Sequence, residues 1–146
     1  MKDLQKLNGE PLEGIRAEPL PDNLLQWRAV IIGPYDSPYY SGTFLLQITF
    51  TEDYPSRPPL LRFLNPPFHP NVYENGDICL DLLQNRWSPS YDVGMLLCAV
   101  RSLLTDPNVE SPANSEAARL FREAPGEFRA NVHASVEASY FESFDK

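Results

Sequence analysis

Cysteine and histidine are scarce in this chain, with two of each. Cys79 and Cys98 are too few and too unpatterned for a disulfide framework, and with His69 and His133 they show no zinc spacing. Both cysteines therefore read as free thiols, and no metal or cofactor is expected. Long apolar runs are missing too: none approaches the ~20 residues of a membrane span, and the polar start "MKDLQKLNGE" has no signal-peptide core. A soluble, intracellular protein with no membrane partner is expected. Basic residues are outnumbered, twelve Lys and Arg against twenty Asp and Glu, for a formal charge of −8. Phosphate neutralisation needs clustered lysine and arginine, and here the twelve are scattered, which argues against a general grip on nucleic acid; any DNA role is expected to be indirect.

Proline, by contrast, is abundant. Fifteen prolines, about twice the usual ~5% share, forbid long uninterrupted helices in the first two thirds of the chain. At 146 residues, 42% hydrophobic and 22% charged, the composition fits one domain over 1–146, large enough to bury roughly 70% of its unfolded surface. No repeat, low-complexity tract or linker interrupts it. "KDLQKLNG" predicts a short first helix, stopped at Asn8-Gly9-Glu10-Pro11. Extended segments follow. "LLQWRAVII" from Leu24 to Ile32 is closed by Gly33-Pro34, and "TFLLQITF" alternates Phe44, Leu46, Ile48 and Phe50 on one face. "PLLRFL" from Pro59 to Leu64 is a third run, and Ile15 to Pro19 a weaker one. Their short connections predict a four-stranded antiparallel meander.

Beyond Phe63 come some thirty residues of proline, asparagine and glycine turns that fit no regular element, Cys79 among them. From Val93 a helical period begins: Val93, Leu96, Leu97, Val100 and Leu104 share one stripe, and Asp92 is placed to cap it. Cys98 projects about 140° from Val93 at 100° per residue, on the face of Gly94 and Ser102. A second helix is predicted from Ser115 to Phe121, with a break at Pro125-Gly126, and a third carrying Phe128, Val132, Val136 and Tyr140 every four residues. Strands first and helices after make an α+β fold.

The stretch "HPNVYENGDICLDLLQNRWSP" from His69 to Pro89 concentrates the polar and reactive groups. A cysteine there is either a small buried hydrophobe or a nucleophile. Asn75-Gly76-Asp77 is a turn signal, and a thiol just beyond a turn tends toward solvent. A thiolate is nucleophilic enough to carry an acyl group as a thioester. Hydrolysis by a Cys-His pair would need an oriented histidine within reach, and the local candidate, His69, is locked before Pro70.

His69-Pro70-Asn71, Cys79 eight residues after the asparagine, Leu80-Asp81 and Trp87-Ser88-Pro89 together resemble the active-site signature of the ubiquitin-conjugating enzymes. Tyr54-Pro55 and Arg57-Pro58-Pro59 resemble the family's proline-rich loop, and Asp106-Pro107-Asn108 its loop after the central helix. The resemblance covers nearly the whole chain. "CLDLLQNRWSPSYDV" and "PNVESPANSEAARLF" are similar to the branch associated with DNA-damage tolerance and histone monoubiquitylation. The fold it implies is α+β: a short N-terminal helix, a four-stranded antiparallel meander, an irregular active-site loop, a central helix and two C-terminal helices.

The resemblance also implies roles. Cys79 would receive the C-terminal glycine of ubiquitin from an activating enzyme, hold it as a thioester, and pass it to a protein substrate lysine with a ring-type ligase. The Asn71 side chain would donate to the oxyanion, an effect of ~3 kcal/mol or about a hundredfold in rate, or brace the loop through backbone hydrogen bonds; the two roles are compatible. The lysine, whose reference pKa is ~10.4, would lose its proton in a desolvating groove bordered by Asp81, Asn108 and Ser111. Ser111 stands where relatives often carry aspartate, and Ser111-Pro112 resembles a proline-directed kinase site, so phosphorylation would supply about −1.5 to −2 charges.

His69, with Pro70, is implied to brace the active-site loop. Arg57 and Pro58 match the first ligase-contacting loop and Trp87, Ser88 and Pro89 the second, with Trp87 either an exposed hot spot or packed under the loop. Ser56 departs from relatives that place an aromatic there. Cys98 and Ser102 match the helix face that holds the donor ubiquitin closed over the thioester, and Arg16 and Arg28 the sheet face where several relatives bind a second ubiquitin. The first helix is shorter than in relatives and keeps only Lys2 and Lys6 of the basic run offered to the activating enzyme. A monomer working in cytoplasm and nucleus is implied. Two other readings stay open: the same chemistry with another ubiquitin-like modifier, or a non-catalytic ubiquitin-binding module. Retention of Cys79, Asn71 and Asp81 together argues against the second.

Overall fold

The computed structural model describes residues 12–141, so the first helix expected at 2–9 lies outside the described residues. The strands are β1 (Ile15–Leu20), β2 (Asn23–Ile32), β3 (Thr43–Thr49) and β4 (Leu60–Phe63). They form one antiparallel sheet in chain order, as the short connections predicted. Register follows from the buried face. Trp27 stands opposite Ile48, which stands opposite Leu61; Ala29, Leu46 and Phe63 make the next row, and Ile31 pairs with Phe44. All are buried, and a slip of one residue would turn every one of them toward solvent.

Three helices follow: α1 (Val93–Thr105), α2 (Ser115–Glu123) and α3 (Pro125–Ser139). The α1 stripe is as the spacing predicts: Val93, Leu96, Leu97, Val100 and Leu104 are buried in the same core cluster as the inner sheet face. Fully burying a side chain of this size contributes about 1.5–3 kcal/mol. Asp92 caps α1, its Oδ1 accepting from the Met95 N–H at 2.8 Å, and Asn114 caps α2 through Ala117 N–H at 3.0 Å. Phe128, Val132 and Val136 of α3 complete the core.

Three details differ from expectation. Pro125 does not merely break the second helix; it is the first residue of α3, where its missing N–H costs nothing. Tyr140 leaves the α3 stripe and is 54% exposed, because a spacing of four drifts by about 40° per step and reaches about 120° by the third. Buried Ser139 ends the helix instead. Its Oγ accepts from the Thr43 N–H and its carbonyl from the Thr43 hydroxyl, both at 3.0 Å, fastening α3 to the start of β3. The irregular stretch after β4 also contains one short 3-10 turn, Asp81–Leu83. No helix of the described residues is long and apolar enough to cross a membrane.

Candidate active site

The interval of eight between Asn71 and Cys79 has a direct structural cause. After β4 the chain runs out through Val72 and Tyr73, turns, and comes back antiparallel to itself. Val72 bridges Ile78, the Tyr73 N–H donates to Asp77 O at 2.8 Å, and the Cys79 N–H donates to Asn71 O at 2.8 Å. Asn71 and Cys79 are therefore partners across a small ribbon. Its tip is closed by the Gly76 N–H on Tyr73 O at 2.9 Å and by Asn75 Oδ1 accepting from the Asp77 N–H at 3.0 Å. Gly76 has φ +99°, and a Cβ there would lie 2.0 Å from Phe63 O; only glycine fits. The Gly76 carbonyl in turn accepts from the Phe63 N–H at 2.9 Å, tying the ribbon to the end of β4.

Cys79 is half-buried, and its Sγ is 3.6 Å from the carbonyl oxygen of Ser111. That carbonyl belongs to the segment between α1 and α2, which the site holds at two further points. The Pro70 carbonyl accepts from the N–H groups of Ala113 and Asn114 at 2.8 and 3.0 Å. The Asn71 side chain, 1% exposed, grips Asn108 with both ends: Nδ2 donates to Asn108 O at 2.6 Å and Oδ1 accepts from the Asn108 N–H at 2.8 Å. Asn71 is thus a brace here, with one Nδ2 hydrogen left over.

His69 is fully buried beneath this arrangement. Its Nδ1 accepts the Asn71 N–H at 2.9 Å, so the proton is on Nε2, which donates to Leu103 O at 2.5 Å. Burial pushes the imidazole down to about 4, the bond to Leu103 offsetting only part of the desolvation. Tyr39 backs the ring at 5.5 Å and donates its own hydroxyl to Phe68 O at 2.5 Å. A neutral His69 linking the ribbon to α1 is a structural post, not a base for Cys79.

Asp81 opens the 3-10 turn two residues past Cys79. Its carbonyl accepts from the N–H groups of Gln84 and Arg86, each at 3.0 Å, and its carboxylate lies exposed, 4.0 Å from Arg86 Nε. Asn108 and Ser111 expose their side chains on the facing segment, and the Asn108 amide oxygen accepts from the Glu110 N–H at 3.0 Å. The structure thus gathers Asn71, Cys79, Asn108 and Ser111 by direct contact and leaves Asp81 at the rim.

Trp87 is not an exposed knob. It is half-buried, its Nε1–H donating to Pro55 O at 2.8 Å, with rings of Tyr54 and Tyr91 at 6.2 and 5.7 Å. Tyr54 continues to Phe50 at 4.8 Å and Phe50 to fully buried Trp27 at 5.3 Å. The indole therefore bolts the 55–58 loop to the 87–89 loop and both to the core, leaving Arg57 and Pro89 exposed and Pro58 and Ser88 half-buried. Cys98 and Ser102 are exposed on α1 as predicted, the Ser102 hydroxyl donating to Cys98 O at 3.0 Å. Arg86, Tyr39 and the Leu103 carbonyl were missed by sequence reasoning; a backbone acceptor leaves no mark in the sequence, and nothing local to Arg86 or Tyr39 advertises its partner.

A half-buried free cysteine held on a hydrogen-bonded ribbon opposite an asparagine has the arrangement that thiol acyl-transfer chemistry requires. A family model described as "Ubiquitin-conjugating enzyme" matches residues 1–136. The chain belongs to the ubiquitin-conjugating enzyme family, transferases that act through a cysteine thioester and work with ubiquitin, an activating enzyme and a ligase. Among relatives, it is 53% identical over 97% of its length to "Ubiquitin-conjugating enzyme E2 2" of Mycosarcoma maydis, covering 77% of that protein. Proteins of the same name from Candida glabrata and Saccharomyces cerevisiae are 51% and 50% identical over 96% of this chain, with 84% and 81% of their own lengths covered. The branch resemblance read from "CLDLLQNRWSPSYDV" agrees with these names, and nothing in them favours another modifier or a non-catalytic module.

Proposed function

We propose that Cys79 is the residue that carries ubiquitin. The observation that supports this most is the ribbon that sets Cys79 opposite Asn71 and against the Ser111 carbonyl. Transfer then runs by attack of a substrate lysine amine on the thioester carbonyl, with the C–S bond breaking as the C–N bond forms. Asn71 serves chiefly by fixing the Asn108 segment, and its spare Nδ2 hydrogen is available to the oxyanion. Asp81, exposed at the rim of the site two residues past Cys79, receives the lysine ammonium with Asn108 and Ser111 opposite. Phosphorylation of Ser111 adds the charge that a neutral hydroxyl lacks.

Ring-type ligases meet the exposed Arg57 and Pro89 with Pro58 and Ser88, over a spacing that Trp87 fixes. Cys98 and Ser102 contact the donor ubiquitin. We further propose a monomer acting in cytoplasm and nucleus, in DNA-damage tolerance or chromatin ubiquitylation. That finer reading is supported by the "CLDLLQNRWSPSYDV" and "PNVESPANSEAARLF" resemblance, and the net charge of −8 with scattered basic residues favours action on chromatin through protein partners. The test is incubation with ATP, an activating enzyme and ubiquitin. A reductant-sensitive adduct that Cys79→Ala abolishes supports the reading, and no adduct with the parent chain removes it.

A further inference from the structure

Lysine occurs in this chain only as Lys2, Lys6 and Lys146; every basic residue between them, from Arg16 to Arg129, is one of nine arginines. No residue from 12 to 141 is therefore a lysine. Guanidinium geometry accounts for some of these positions. Arg101 donates from Nε to Ile32 O at 2.9 Å, and Arg119 holds Glu116 with two prongs at 3.1 and 2.6 Å. It does not account for five more. Arg57, Arg62, Arg122 and Arg129 make no side-chain hydrogen bond or ion pair with another described residue, and Arg86 reaches Asp81 only at 4.0 Å, with both side chains largely exposed. At such places lysine supplies the same charge. What it would add is a primary amine, the group this family's thioester acylates.

We propose that the lysine-free body is a specificity device that denies the Cys79 thioester an acceptor within its own chain and confines lysine self-modification to Lys2, Lys6 and Lys146. The inference rests on the reading of Cys79 as the thioester carrier. An amine within reach attacks the thioester carbonyl, the C–N bond forms while the C–S bond breaks, the ammonium proton passes to solvent, and the thiolate leaves on Cys79. Tethering in one chain gives such an amine an effective concentration in the millimolar range. A guanidinium, protonated at any accessible pH, does not attack. The need is greatest around the ribbon. The Arg86 N–H is bonded to the carbonyl of Asp81, two residues beyond Cys79, and Arg62 bridges Asp77, two residues before it.

The test charges the full chain with ubiquitin, quenches the activating enzyme, and follows thioester loss alongside reductant-resistant self-adducts mapped by mass spectrometry. Arg86→Lys and Arg62→Lys restore amines; Arg86→Gln and Arg62→Gln lose the guanidinium without gaining one and set the reference rate. The expected result is an adduct on the restored lysine and thioester loss about tenfold faster than in the matching glutamine variant. Equal lifetimes with no adduct at residue 62 or 86 would overturn the proposal. So would parent self-conjugation, through hydroxyl or thiol groups, as fast as that of the lysine variants. A parent chain that forms no reductant-sensitive adduct overturns the Cys79 reading and this inference with it, whereas a charged parent with inert lysine variants overturns this inference alone.

Discussion

Asn71→Ala separates two roles of one side chain. The alanine removes both hydrogen bonds to Asn108, at 2.6 and 2.8 Å, from a residue that is 1% exposed. At about 1 kcal/mol net per bond, the loss of stability is about 2 kcal/mol. For a domain of this size that lowers Tm by about 5–8 °C. The Asn108 amide, deprived of its acceptor, also loses protection in hydrogen exchange. Thermal melting, amide exchange and single-turnover discharge of the thioester are measured on the same variant. The brace account predicts that the melting shift and the exchange at Asn108 accompany any loss of rate. A Tm unchanged within a degree and a protected Asn108 amide, beside a discharge rate down about a hundredfold, would refute it and assign Asn71 to the oxyanion alone.

His69 makes stability depend on pH. Its folded pKa of about 4 lies below the ordinary ~6.5, so between those values the unfolded chain takes up a proton that the folded one refuses. The His69 contribution is full above about pH 6.5 and lost as pH falls toward 4, a difference of about 3 kcal/mol. Denaturant titrations of the parent and His69→Gln should diverge in slope over that window, and parallel slopes would show that the imidazole is not buried neutral. Trp87→Phe keeps ring contact with Tyr54 and Tyr91 but loses the 2.8 Å bond to Pro55 O; it should cost about 1 kcal/mol and raise the ligase concentration needed for half-maximal discharge. An unchanged half-maximal concentration would mean that the bolt does not set the loop spacing. Ser111→Asp should discharge to free lysine severalfold faster than Ser111→Ala, an exposed charge being worth at most about 1 kcal/mol; equal rates would end the phosphorylation proposal.

The sheet and α1 were legible because each buries one face and exposes the other, which writes a period of two into Phe44, Leu46 and Ile48 and of three and four into Val93 to Leu104. The active-site ribbon was legible differently. Its Asn-Gly-Asp tip is a local signal, and the interval from Asn71 to Cys79 follows from the antiparallel return around it. What the residues did not reveal are contacts with distant backbone. Trp87 binds a carbonyl 32 residues earlier and Asn71 a peptide 37 residues later, so neither the burial of the indole nor the bracing by the amide follows from its neighbours in sequence. Tyr140 departs for a related reason: a four-residue spacing holds to one helix face for only about two steps.

The proposed acyl carrier is Cys79 and not the more exposed Cys98. Charging Cys79→Ser and Cys98→Ser in parallel with the activating enzyme, ATP and ubiquitin distinguishes the two thiols. A reductant-resistant oxyester is expected on Cys79→Ser and an ordinary reductant-sensitive adduct on Cys98→Ser. A reductant-sensitive adduct persisting on Cys79→Ser and lost from Cys98→Ser would assign the acyl group to Cys98 instead.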